Sequence, residues 1–299
     1  MTPFQKELIS MAATDAVTRL GSGEVSPMEM LDAALARHGE VDGQINAMPI
    51  ICADRAAAKT REIAAMTVPN DGKPWLAGLP IAIKDLADVA GVRTTKGSLI
   101  HKDRVAERSD ILVEALEARG AVVIGKSNTP EFGAGAHTFN EVFGVTRNPW
   151  NLTKSAGGSS GGSAAALASR QVWLATGSDF GGSLRNPASF CSVVGFRASA
   201  GRVARGPRTH SFGMMSIEGP MARTVADAAM MFDCQTGTHP RDPISLPAPE
   251  VPFSATLETA SAPARIGYAA DLGGIVPVAQ DVRGVLSGAM GLLSAAGFD

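Results

Sequence analysis

Residues 155–188 read SAGGSSGGSAAALASRQVWLATGSDFGGSLRNPA, and the reading of this stretch decides the fold. Gly and Ser alone would suggest a flexible linker. A linker does not run on into Ala164-Ala-Ala-Leu-Ala168, a helix start, and then into Val172-Trp-Leu-Ala-Thr176, an apolar strand candidate. Two Gly-Gly-Ser turns, at 157–159 and 181–183, bracket this helix–strand unit. Glycine lets the backbone approach a ligand closely. Ser183 stands just before Leu184-Arg-Asn-Pro, a candidate helix start, where free N–H groups can receive a developing oxyanion.

The same alternation extends outward. Phe4 to Leu20 carries apolar residues at helical spacing, Ser26-Pro27 caps a helix from Met28 to Arg37, and Asp54 to Met66 is an Ala-rich helical stretch. Residues 1–66 therefore read as a helical N-terminal subregion, followed at Thr67–Gly78 by a turn-rich candidate boundary. Leu79–Lys84 and Ala121–Ile124 are strand candidates, as is Arg265–Tyr268. Helices are expected from Ser109-Asp110 to Arg119, from Thr224 to Phe232, and from Asp281 to Ala296. Helices alternating with short apolar strands predict an α/β fold, a central sheet flanked by helices.

The composition bounds the function. The chain has 299 residues, 45% of them hydrophobic, and a net charge of −2. That argues against a broadly basic nucleic-acid binder. Aromatic residues make up 5%, too few for a base-stacking platform. No run approaches the 18 or so apolar residues of a membrane span, and the N-terminus lacks a signal-peptide pattern. Cys52, Cys191 and Cys234 are far apart without a CxxC pair, which fits a reducing, cytoplasmic setting. The five histidines show no zinc-ligand spacing, so neither a metal nor another cofactor is expected.

Two strings invite other readings. Gly120-Ala-Val-Val-Ile-Gly125-Lys126-Ser127 fits GxxxxGK[ST], but the four intervening residues are themselves a strand, where a phosphate cradle needs a loop. Gly157-Gly-Ser159-Ser-Gly161 fits the nucleophile elbow GxSxG. That elbow needs a strand directly before it, and residues 148–156 read as a polar loop; His210 or His239 would have to complete it. A serine needs a base, and no histidine lies near this region. Lys84, at the end of a strand candidate, is the other base available. Its pKa would have to fall by about three units, about 4 kcal/mol, through burial.

Residues 157–188 resemble the amidase signature family at every restricted position. Leu79-Pro-Ile-Ala-Ile-Lys-Asp85 resembles the family's lysine-bearing strand. Gly125–Gly133 and Gly144–Asn151 resemble its substrate-side loops, and Val194-Gly-Phe-Arg197 and Gly201-Arg-Val203 the segments that follow the nucleophile. Ser178 stands where many relatives have Thr, and Phe180 and Asn186 fill variable positions.

The resemblance implies a Ser-Ser-Lys triad. Ser183 would be the acyl-enzyme nucleophile, Ser159 the bridging serine after a cis peptide, and Lys84 the base. The N–H groups of Phe180, Gly181, Gly182 and Ser183 would form the oxyanion hole. Ser160 and Ser163 would support by hydrogen bonding, and Asp179 and Arg185 would orient the turn as a charged pair. Cys191 is expected to pack in the core.

The implied activity is hydrolysis of a small carboxamide to an acid and an amine or ammonia, without cofactor. The alternatives are the amidase subunit of a glutamine-dependent tRNA amidotransferase and an inactive fragment. Arg197, Arg202, Arg205 and Arg208 are the only basic cluster, which otherwise reads as a solvated loop. A homodimer stays open. Residues 1–299 are expected to form one amidase-signature domain lacking its C-terminal part, because family members are usually longer.

Overall fold

A computed structural model describes residues 1–63, 65–206, 210–261, 263 and 265–298. Arg208 lies outside the described residues. The chain divides into two compact units, Met1–Ala255 and Thr256–Asp299.

The first unit contains helices α1 Pro3–Ser10, α2 Ala13–Ser22, α3 Pro27–Ile45, α4 Ala53–Ile63, α5 Ile111–Ala118, α6 Gly161–Ala168, α7 Arg185–Cys191 and α8 Val225–Gln235. Its strands are β1 Ile50–Ile51, β2 Pro80–Lys84, β3 Val122–Ser127, β4 Phe139–Asn140, β5 Gly144–Val145, β6 Arg147–Asn148, β7 Asn151–Ser155, β8 Leu174–Asp179, β9 Val194–Gly195 and β10 Ile217–Ala222. Helix α9, Phe253–Thr259, begins at the end of this unit, and α10, Gln280–Ala295, belongs to the second.

Six strands form one mixed sheet in the order β1-β3-β2-β8-β10-β9. Its centre, β3-β2-β8, is parallel, and β1, β10 and β9 add antiparallel edges. Every residue of β2, β3 and β8 is buried. Strands covered on both faces read as continuous apolar runs, which is why the sequence exposes them. Helices α3, α4, α6 and α8 pack on the sheet. Because β2 and β8 run parallel, Lys84 and Asp179, the last residues of each, lie at the same edge of the sheet. Open α/β sheets place their ligands at such carboxyl ends.

Local chemistry sets several ends. Ser26 and Glu29 cap α3 reciprocally, with Ser26 Oγ accepting from the Glu29 N–H and the Glu29 carboxylate accepting from the Ser26 N–H. The Thr224 side chain accepts from the Asp227 N–H at the start of α8.

Four expectations are corrected. The helical stretch Phe4–Leu20 is two helices, because Met11 and Ala12 are extended between them. Residues 148–156 are not simply a polar loop: β6 and β7 form an exposed hairpin there. The turn-rich 67–78 is not a boundary. Its Leu76 and Gly78 N–H groups donate at 2.7 Å to the carbonyls of Arg119 and Gly120, tying it into the first unit. Arg265–Tyr268 is not a strand; these residues lie outside regular structure with no ladder partner among the described residues, so nothing holds them extended.

Candidate active site

Burial first singles out the lysine at the end of β2. Lys84 is 1% exposed. Its Nζ donates to Ser159 Oγ at 2.7 Å, Ser160 Oγ at 2.9 Å and Ser178 Oγ at 3.0 Å. No carboxylate forms an ion pair with it among the described residues. Burial pulls the amine from an ordinary 10.5 down to about 7, against the weaker opposing pull of Glu218 and Asp179. A lysine that is half neutral near pH 7 can accept a proton.

The Gly-Ser turn delivers the hydroxyls. The peptide Gly158–Ser159 is cis. Gly158 admits no side chain, since a Cβ would come within 2.8–3.0 Å of the backbone at Ala136 and His137. Ser160 also bonds Ser178, whose N–H donates to Ser160 Oγ at 3.3 Å. Ser163 makes no hydrogen bond to Lys84; its hydroxyl bonds Ser127 Oγ at 2.6 Å and the Thr176 carbonyl at 2.7 Å.

Ser183 and Ser159 line the same cavity of about 300 Å³, together with Leu86, Phe132, Phe180 and Ser216. The Ser160 N–H donates to the Ser183 carbonyl at 3.2 Å, which ties the two turns together. Among the described residues the Ser183 hydroxyl makes no hydrogen bond.

Asp179 holds the second turn. Its carboxylate accepts from the N–H groups of Gly182 at 2.8 Å and Leu184 at 3.1 Å, from Arg185 through two nitrogens at 3.0 Å, and from Arg197 at 3.1 Å. Burial pushes this carboxyl up, but Arg185 and the two N–H groups together hold it well below the usual carboxylate range. The Gly182 N–H is therefore already taken, which removes it from the expected set of oxyanion donors. The N–H groups of Phe180, Gly181 and Ser183 make no hydrogen bond among the described residues.

The sequence did not reveal the contacts of four residues. Ser178 is a third hydroxyl on Lys84, brought in by β8 lying beside β2. Arg197 is not a solvated basic residue but a partner of Asp179, and Arg205 pairs with Glu218 at 3.2 Å. Gly133, at φ +72°, sits where an added Cβ would come within 2.7 Å of Leu86 and 3.5 Å of Ser159 Oγ. The resemblance of Gly125–Gly133 to a substrate-side loop is the one signal that points to this position.

The two competing strings resolve physically. Within Gly120–Ser127, residues 122–127 form β3, and Lys126 is fully buried. Its Nζ donates to Asp85 Oδ1 at 2.8 Å and Thr94 Oγ1 at 2.9 Å, so it faces a carboxylate. Gly125 is small because a Cβ would meet the Ile50 carbonyl at 2.4 Å. As for GxSxG, β7 does precede Ser159, but it belongs to the outer hairpin instead of the central sheet. Among the described residues no histidine hydrogen-bonds Ser159 or Ser183. The thiols of Cys191 and Cys234 are buried, and burial raises both to about 12. No helix among the described residues is long and apolar enough to cross a membrane.

Comparison with known proteins places the chain in a family. The family model described as Amidase matches residues 29–299. The chain belongs to the amidase signature family. Within that family it is 38% identical over 267 residues to the A subunit of the glutamyl-tRNA(Gln) amidotransferase of Anaeromyxobacter dehalogenans (strain 2CP-C), covering 89% of this chain and 54% of the relative. The chain thus spans about half the length of the curated relatives it matches. A solved bacterial aryl acylamidase of the amidase signature family superposes with a TM-score of 0.88 at 32% identity, over 96% of this chain and 60% of that one. A chain from a solved vestigial protein complex, described as revealing the evolutionary origins of an s-triazine catabolic enzyme, is 38% identical with a TM-score of 0.77, over 85% of this chain and 56% of that one.

Proposed function

We propose that this amidase signature chain cleaves a carboxamide through an acyl-enzyme on Ser183. One observation carries the reading: a buried lysine with no carboxylate partner among the described residues holds Ser159 in a cavity that Ser183 also lines. In this reading neutral Lys84 takes the Ser159 proton while Ser159 takes the proton of Ser183, whose Oγ attacks the amide carbonyl. The free N–H groups of Phe180, Gly181 and Ser183 receive the oxyanion. The relay then returns the proton to the departing amine, and water cleaves the ester. Ser160 and Ser178 hold the lysine in line, and Asp179 with Arg185 and Arg197 fixes the turn that carries the nucleophile. The test is acyl transfer to hydroxylamine. An acyl-enzyme yields a hydroxamate in competition with the acid, whereas ammonia release with no hydroxamate at any hydroxylamine concentration would count against it.

The curated relatives favour a narrower second reading, in which the amide is glutamine and the chain works as the A subunit of a glutamyl-tRNA(Gln) amidotransferase within a complex. Glutamine hydrolysis that rises on adding partner subunits and Glu-tRNA(Gln) would support it. Turnover of simple amides indifferent to both would oppose it. The three unpaired thiols fit a cytoplasmic protein under either reading.

A further inference from the structure

The cavity at the two serines has an uneven wall. Among the described residues that line it, none carries a charge: Leu86, Phe132, Ala134 and Phe180 supply its apolar side, and serine hydroxyls the other. Phe132 and Phe180 also line the adjoining cavity of about 650 Å³, whose farther wall carries Asp88, Lys96, Asp110, Arg205 and Glu218, so the two rings stand where an apolar space meets a charged one. Both rings are open to solvent, Phe132 at 49% and Phe180 at 63%. Exposed aromatic side chains that share a concave site mark a place for an apolar ligand.

Phe132 is held there against its own backbone preference. It sits in the left-handed region at φ 51° and ψ 18°, where a residue with a Cβ is strained. The fold enforces the conformation: the Phe132 N–H donates to the Lys96 carbonyl at 2.7 Å, and the Gly133 N–H closes a turn onto the Pro130 carbonyl at 2.8 Å. His101 meets the ring edge-on, with centroids 6.0 Å apart. Glycine would satisfy this backbone without strain, as Gly133 does at the next position, so the strained residue is kept for its ring. Phe180 is fixed differently, by following β8 directly and preceding the turn that Asp179 clamps.

We propose that Phe132 and Phe180 form an aromatic clamp that selects an amide carrying a planar, apolar ring beside the scissile bond. This rests on Ser183 being the nucleophile, and it names the substrate class of that site. Two aromatic faces favour a flat ring over a puckered ring of equal size, because stacked or edge-on ring contacts add to simple burial.

The test separates binding from chemistry. Calorimetry on the full chain carrying Ser183→Ala compares 2-phenylacetamide with 2-cyclohexylacetamide, in which a methylene insulates the carbonyl from the ring. N-benzylacetamide and N-(cyclohexylmethyl)acetamide repeat the comparison with the ring on the amine side. The clamp predicts about tenfold tighter binding of the phenyl compound in at least one pair. Phe132→Ala and Phe180→Ala should each bring that ratio toward one, while Phe132→Tyr and Phe180→Tyr, which keep a ring, should retain it. Equal affinities within both pairs, or glutamine binding more tightly than either phenyl compound, would overturn the clamp. The nucleophile reading has its own readout, a covalent adduct on Ser183, so a failed clamp and a failed nucleophile give different results.

Discussion

Replacing Lys84 by Met tests whether this buried amine is held neutral at the expense of stability. The amine is buried, and its pKa falls from 10.5 to about 7. At 1.36 kcal/mol per pKa unit, that fall amounts to about 5 kcal/mol of unfavourable burial of the charged form. The sign follows from proton counts. Between pH 7 and 10.5 the unfolded chain holds a proton on Lys84 that the folded chain has released. Wild-type stability therefore gains up to about 1.4 kcal/mol per pH unit from this residue as pH rises, and the full penalty applies below 7. Lys84→Met does not titrate. Other groups titrate in both proteins and cancel in the difference, and so do the serine hydroxyls left around the Met. Urea unfolding of both proteins at pH 7, 8 and 9 should show wild type gaining about 2–3 kcal/mol on the variant across that range. Stability curves that stay parallel within about 0.5 kcal/mol would refute the claim that Lys84 is held neutral.

Other consequences are shorter. Lys126→Met leaves the buried Asp85 carboxyl without its ion-pair partner, so unfolding measurements should show a loss of about 3–5 kcal/mol, and ATP should not shift the Tm of the parent chain. Gly133→Ala forces a Cβ against Leu86 at a positive φ beside Ser159, and acylation kinetics should slow by about tenfold or more with a stability loss of about 1–2 kcal/mol. Cys191 and Cys234, raised to about 12 by burial, should resist iodoacetamide at pH 8 until urea opens the fold, as peptide mass mapping would show.

The legible parts of this molecule are those set by neighbours in sequence. Ser26-Pro27-Met-Glu29 announces the start of α3 because a capping box is local chemistry. Strand β2 and the start of β8 stand out because they run through the sheet's buried centre as apolar stretches. Strand β7, Asn-Leu-Thr-Lys-Ser, is hidden because an exposed hairpin needs no apolar pattern. The break at Met11-Ala12 is hidden because apolar periodicity continues across it. At the site, the 157–188 pattern and Lys84 point to the chemistry. What the pattern could not carry is pairing across the fold: Ser178 reaches Lys84 only because β8 lies beside β2, and Arg197 reaches Asp179 only after the chain has turned back on itself.

The central claim is that Ser183 is the nucleophile and that Lys84 activates it through Ser159. The most direct measurement is peptide mass spectrometry after reaction with a fluorophosphonate probe across pH 5 to 9. The account predicts a single adduct on Ser183, formed at a rate that rises about tenfold per pH unit below 7 and levels above it. The adduct should be absent in Ser183→Ala and formed orders of magnitude more slowly in Lys84→Met. An adduct on Ser159 or Ser160 instead, or labelling of Ser183 that is indifferent to Lys84, would contradict it.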